Sequence, residues 1–253
     1  MIVFKYLHPD RIDVLKNGLI RFTQPAALND PFELRPNLCD VRRFFDKLHR
    51  SADGVIPTAG DLLGTQVAIS ESFGQWNEDN ASDLVFLSLS KNRNDLLMWS
   101  HYCDCHRGFV LGFDGTHPFF TSATNGLKSA LREVNYSRYR PVVPAPDRDP
   151  EMFFKENTNI LTKSHHWKYE KELRMCASPK AAHSVQPGPN GHPIHLFTFP
   201  KEAVAQAILG YRMPSDTRNV IINLVREKYP NAELYQTALN ESEYDLNVSP
   251  YDA

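Results

Sequence analysis

Ser88 to Asp114 reads SLSKNRNDLLMWSHYCDCHRGFVLGFD, and the fold turns on this stretch. The apolar run Leu84 to Leu89 alternates as a strand does. Asn94 or Asp95 then supplies a side-chain oxygen to cap a helix start. The helix is short, with Leu96, Trp99 and Cys103 on one side, Met98 and Tyr102 beside them, and Ser100, His101 and Asp104 elsewhere. Gly108 lets the chain turn tightly out of it, and Phe109 to Phe113 is a returning strand. Strand, helix and strand would hold His101, Tyr102 and His106 near a sheet end, where a site could form.

Working outward, the N-terminal side repeats this economy. MIVFKY (Met1 to Tyr6) is a β-type run, and Arg11 to Lys16 has helical spacing closed by Asn17-Gly18. Leu19 to Phe22 returns as a strand. TQPAALNDPFEL then favours turns, with Phe32 expected to anchor the Asn29 to Glu33 turn to the core. Helices are expected over Val41 to Arg50, Gln66 to Trp76 and Glu151 to Lys163. A proline-rich connector, RPVVPAPDRDP, precedes the last of these. Leu131 to Tyr136 and WKYEKELRMC read as strands, Ser178 to Pro193 as an exposed loop, and His195 to Phe199 and Val204 to Gly210 as strands. Thr217 to Lys228 is a helix with Val220, Ile221, Leu224 and Val225 inward. Glu233 to Ala238 and Tyr244 to Val248 end the chain as strands. The fold class is α+β: one domain over residues 1–253, mixed or antiparallel sheets flanked by helices.

The 253 residues can bury a substantial core. Lys plus Arg number 28 against 30 Asp plus Glu, so no overall field draws the chain to nucleic acid or anionic membrane. Cys39, Cys103, Cys105 and Cys176 lack the spacing of a disulfide framework, no secretory pattern opens the chain, and no apolar run reaches membrane-helix length. A reducing cytoplasm is the expected location.

The sharpest chemistry lies in Glu170-Lys171-Glu172-Leu173-Arg174. On a strand, Glu170, Glu172 and Arg174 project together, and two carboxylates within about 7 Å repel unless Arg174 compensates. Such a face suits acid-base work or grip on a ribose diol, and equally a solvated edge strand. His101, Cys103, Cys105 and His106 lack a second pair of ligands at zinc spacing, which leaves no metal in the reading. Ser88-Leu89-Ser90 puts two hydroxyls on one face. Lys5 and Tyr6 on the first strand have as their plain reading a snorkelling lysine beside an interior aromatic.

FKY, GLIRFTQPAALNDPFE, MWSHY…HRGFVLGFD, W-x-Y-E-K-E-L-R and AILGYR together resemble the bacterial family known as domain of unknown function 2971 (DUF2971). More distantly, Lys5, then Ser88 and Ser90, then Glu170 and Glu172 resemble the ordered motifs of the ADP-ribosyltransferase superfamily, as does the strand-helix-Gly-strand opening. Here Lys replaces the usual Arg or His, and Ser-Leu-Ser lacks the central Thr. That resemblance implies an NAD-dependent transferase in which NAD is the substrate. Glu172 and Glu170 would be catalytic, with Lys5, Tyr6, Ser88, Ser90, Trp99, His101, Tyr102 and Arg174 around the nucleotide. It also implies a toxin or phage-defence effector acting on protein, nucleic acid or water, with a regulatory partner or antitoxin. Two rivals remain: a non-catalytic module recognising a partner through the NDPFE loop and the Trp99 helix, and a nuclease using His101, His106 and Glu172.

Overall fold

The computed structural model describes residues 1–33, 84–123, 128–141 and 160–252. The helices expected over Val41 to Arg50 and Gln66 to Trp76 lie outside these residues, as does Cys39. So does most of the proline-rich connector and of the helix expected over Glu151 to Lys163. The chain divides into two compact units, one of residues 1–23, 85–133 and 167–253, the other of 24–84 and 134–166.

The first unit is built on the predicted opening. Strand β1 (Ile2–Leu7) leads through a 3-10 turn into helix α1 (Asp13–Asn17), and Gly18 closes that helix at φ 64° before strand β2 (Leu19–Phe22). The quoted stretch folds as read: β3 (Val85–Ser90), α2 (Leu96–Tyr102) and β4 (Phe109–Asp114). The Asp95 carboxylate caps α2, accepting from the amides of Leu97 and Met98 at 3.0 and 3.1 Å. A short helix, α3 (Pro118–Thr121), follows. The unit continues with β5 (Arg132–Glu133), β8 (Glu172–Ala177), β9 (Ser184–Gln186), β10 (Ile194–Thr198) and β11 (Val204–Leu209). Helix α4 (Ser215–Lys228), β12 (Glu233–Leu239) and β13 (Leu246–Pro250) complete it. The intervening β6 (Asn135–Ser137) and β7 (Thr162–Ser164) pair in parallel within the second unit.

Eight strands form one sheet in the order β13-β12-β11-β4-β1-β3-β8-β5, and β2-β10-β9 form a smaller one. The pairs of the large sheet are antiparallel except β11 with β12, which α4 connects. One face carries Val3, Leu7, Leu87, Leu89, Phe109 and Leu111 against Ile20, Phe22 and Phe197 of the small sheet and Ile221, Ile222 and Val225 of α4. The other carries Phe4, Tyr6, Val110 and Ile208 against Met98, Trp99 and Cys103 of the α2 region. Alternation along β1 sends each of its apolar residues to one core or the other, so both faces are buried.

Several expectations change. Glu170 is not on the strand: residues 165–170 form 3-10 turns, Lys171 takes φ 43°, and β8 begins only at Glu172. Leu131 to Tyr136 splits at Val134 into β5 and β6, which pair with β8 and β7 respectively. Lys163, expected in a helix, lies in β7. Val220 is 41% exposed while its neighbours Ile221 and Ile222 are buried, so the inward face of α4 is rotated by one residue. Residues 178–193 contain the short strand β9. Phe32 is 59% exposed, with the Arg140 guanidinium over its ring at 5.8 Å. Asp30 and Glu33 are the buried members of that turn.

Gly108 has a different use from the one expected. The left-handed turn out of α2 is made by Asp104, Cys105 and His106 at φ 46°, 49° and 69°. What requires glycine at 108 is proximity, because a Cβ there would lie 2.1 Å from the Leu7 carbonyl oxygen.

Candidate functional site

Register brings the Ser-x-Ser strand against the acidic one: Ser90 pairs with Glu172, Ser88 with Arg174 and Phe86 with Cys176. On the other side of β3, Phe4 of β1 pairs with Ser90. Paired residues share a face, so Tyr6, Ser88, Ser90, Glu172 and Arg174 all stand on the α2 side of the sheet. Glu172 and Arg174 form a bidentate pair: Nε donates to Oε1 at 2.9 Å and Nη2 to Oε2 at 3.0 Å. Both are enclosed, Glu172 at 4% and Arg174 at 1% exposure, and the guanidinium lies 5.3 Å from the Phe86 ring centre. This geometry fixes the carboxylate's orientation.

Glu170 reaches the same neighbourhood by another route. Its carboxylate accepts from the Tyr102 hydroxyl at 2.6 Å, and its backbone carbonyl accepts from the Ser90 hydroxyl at 2.7 Å. Ser90 also accepts from the Asn92 amide at 3.0 Å, so this buried serine ties the end of β3 to the turn before β8. Lys91 N–H donates to the Lys171 carbonyl at 3.1 Å across the same junction. The left-handed Lys171 lets both Glu170 and Glu172 turn inward although only one of them is on the strand.

Lys5 alternates to the other face from Tyr6, yet its ammonium enters this region through a break in the sheet. β1 and β3 pair at the single position Phe4–Ser90 and then part, whereas β1 and β4 pair from Ile2 to Leu7. Lys5 Nζ crosses the break and donates to the Ser88 carbonyl at 3.0 Å. Burial lowers its pKa to about 8, while the Glu172 and Glu170 carboxylates pull it up and Arg11 and Arg21 push it down.

Tyr6 and Trp99 are placed where no nucleotide could stack on them. Trp99 is fully buried and Tyr6 is 6% exposed, with their rings edge to face at 5.6 Å. The Tyr6 hydroxyl donates to the Asn92 carbonyl at 2.9 Å and Trp99 Nε1 to the Arg93 carbonyl at 3.0 Å. Their part is to hold the Lys91 to Asp95 turn, and burial pushes the Tyr6 phenol upward. His101 is exposed and faces Tyr169, with ring centres 6.3 Å apart, while Tyr102 is half-buried. His106 is elsewhere: its ring stacks on Trp99 at 6.2 Å and meets Tyr211 at 5.2 Å, and burial with Arg212 lowers its pKa. Cys103 is buried, its thiol donating to the Phe109 carbonyl at 3.4 Å, whereas Cys105 is exposed. The set named from sequence thus divides. Lys5, Ser88, Ser90, Glu170, Glu172, Arg174 and Tyr102 come together, His101 borders them, and Trp99 and Tyr6 support them from the core.

Sequence reasoning missed Arg21, Arg11 and Tyr169. The visible signal for Arg21 was a charged residue between Ile20 and Phe22 on a short strand. Which strand it would adjoin could not be read from spacing.

Residues 98–175 match the family described as "Protein of unknown function (DUF2971)". The matched span includes Trp99, His101, Tyr102, Glu170, Glu172 and Arg174, and it leaves out Lys5, Ser88 and Ser90. No curated protein and no solved structure matches the chain.

Proposed function

We propose that the protein transfers ADP-ribose from NAD to a macromolecular acceptor, with the paired strands β3 and β8 carrying the reaction. The supporting observation is the adjacency β1-β3-β8. It gathers a lysine, two serines and two carboxylates from three distant parts of the sequence around one break in a sheet. Breaking the glycosidic bond leaves positive charge on the ribose as the electron pair departs with nicotinamide. A carboxylate locked in place by two bonds from Arg174 is suited to stabilise that charge without reorganising. Glu170, positioned by Tyr102, takes the acceptor's proton. The half-buried Ser88 and Tyr169 and the exposed His101 border the entry.

The test is incubation with NAD labelled on the adenylate and on the nicotinamide. The expected result is free nicotinamide together with adenylate label on protein or nucleic acid, abolished in Glu172→Gln. Should Glu172→Gln fold as wild type and transfer label at an undiminished rate, the assignment is wrong.

A second reading, a non-catalytic binding module, draws support from the enclosure of Glu172 and Arg174, which is also what a purely structural ion pair looks like. Tight dinucleotide binding with no nicotinamide release would favour it.

A further inference from the structure

We infer that the break between β1 and β2 is a binding site for a phosphoryl anion, held by Arg21 and Arg11 with the Lys5 ammonium at its floor. Strand β3 has a different partner at each end: Ser90 pairs with Phe4 of β1, and Phe86 bridges to Thr23, the residue after β2. Ser88, midway, has no strand partner on that side among the described residues, and its carbonyl takes Lys5 Nζ instead. The sheet therefore opens into a gap with β1 as one wall, β2 as the other and Ser88 beneath.

The bridge also settles which way Arg21 faces. Thr23 shares a face with Phe86, so Arg21, two residues earlier, stands on the side of Ser88, Glu172 and Arg174, while Ile20 and Phe22 turn to the core.

Charge is uneven in this gap. Among the described residues, Arg21 Nε is buried with no hydrogen-bond partner, and no carboxylate lies within ion-pair reach of Arg21. Arg11 is held by Asp13 at 3.0 Å, and Glu172 is occupied by Arg174. Burial is the main cause that lowers the pKa of both Lys5 and Arg21, and the neighbouring charge of Arg11 lowers each further, with Arg21 adding to the effect on Lys5. A buried guanidinium nitrogen without an acceptor carries a desolvation cost, and an anion seated in this gap would remove it. A tetrahedral phosphoryl group offers several acceptors at once, which suits two guanidinium forks and an ammonium better than a single carboxylate does.

The site deepens the transferase reading, on which the identity of the carrier molecule rests: there it would seat the diphosphate of the dinucleotide. The anion site itself can be tested without turnover. Inorganic pyrophosphate is titrated into the protein and followed by phosphorus NMR and thermal melting, for wild type, Arg21→Gln and Arg11→Gln. Arg107→Gln serves as control, an exposed arginine beside Asp104. Saturable binding is expected in wild type and the control, weakened at least tenfold in Arg21→Gln and severalfold in Arg11→Gln. If Arg21→Gln does not fold, Arg21→Lys, which keeps charge and loses the fork, is expected to show the same direction. Absence of saturable binding, or equal affinity in all variants, overturns the inference. Pyrophosphate binding with no nicotinamide release keeps the anion site and removes the transferase. Nicotinamide release with an unchanged KM in Arg21→Gln does the reverse.

Discussion

Lys5 combines two demands that oppose each other. Its ammonium is drawn into the sheet break beside Glu172 and Glu170 and also beside Arg11 and Arg21, and burial is the largest influence on it, taking its pKa from 10.5 to about 8. Below pH 8 the lysine is charged in both folded and unfolded states and the desolvation cost stands in full. Between about 8 and 10.5 the folded protein gives up its proton first, so the unfolded chain binds more protons and stability rises with pH. Relative to Lys5→Met, wild type should gain on the order of 1 to 3 kcal/mol between pH 7 and pH 10, part of the full shift being screened by water. Urea unfolding at the two pH values reads this directly, and a flat or opposite difference would show that the ammonium is not desolvated. Glu172 and Arg174 give the complementary case. Arg174→Met leaves an enclosed carboxylate without its guanidinium and should cost about 3 to 5 kcal/mol. Adding Glu172→Gln to it should recover part of that loss, with a coupling above about 1 kcal/mol in a double-mutant cycle.

At the scale of elements, the junctions matter more than the strands they connect. Helix α2 ends in three consecutive left-handed residues, Asp104 to His106, and Gly108 and Gly210 then pass backbone to backbone. A Cβ at Gly108 would meet the Leu7 carbonyl oxygen at 2.1 Å, and one at Gly210 would meet that of His106 at 2.2 Å. Neither carbonyl can move without disturbing β1 or the turn. Gly108→Ala should therefore lower stability by about 3 kcal/mol or leave the protein insoluble, and a melting temperature within 2 °C of wild type would contradict the contact. Lys171 separates the buried Glu170 from β8 at φ 43°. Lys171→Val, a β-branched residue in a left-handed position, should cost about 1 to 2 kcal/mol although the side chain is exposed. Lys171→Gly should be nearly neutral, since relief of strain offsets added freedom of the unfolded chain. These junctions also mark how far the sequence could be read. Alternation and capping made β1, α1, β2, β3, α2, β4, β11, α4 and β12 legible, because those signals are local. The continuous strand read through Glu170 failed, since one left-handed residue leaves no trace in a hydrophobic pattern. That Glu170 and Glu172 would both be buried was legible only as a clustering of charge. The place of Arg21 in the site was not legible for a further reason: it depends on Thr23 meeting Phe86, a pairing set by tertiary contact.

Across the whole of the first unit, the chain order and the strand order disagree in an informative way. The central pair of the large sheet is β4 with β1, in which Ile2 lies against Asp114, and β1 then meets β3 on its other side. The first strand, made earliest, waits for partners from two later segments before it has any ladder at all. Loop closure must precede the reward from such contacts, so refolding should fall in the millisecond-to-second range of β-rich domains rather than the microsecond range of helical ones. The same topology makes β1 indispensable. Its Val3 and Leu7 enter one core, its Phe4 and Tyr6 the other, and without it β4 and β3 face each other across an empty strand position with their ladder groups unpaired. A chain beginning at residue 24, which lacks β1, α1 and β2, should show collapsed amide dispersion and no cooperative melt. Adding the peptide of residues 1–23 should restore both in a concentration-dependent way, because every contact of β1 with the sheet is non-covalent. Cooperative unfolding of the shortened chain by itself would mean that β3 and β4 can close on one another, and the sheet break that admits Lys5 would then not be dictated by the topology.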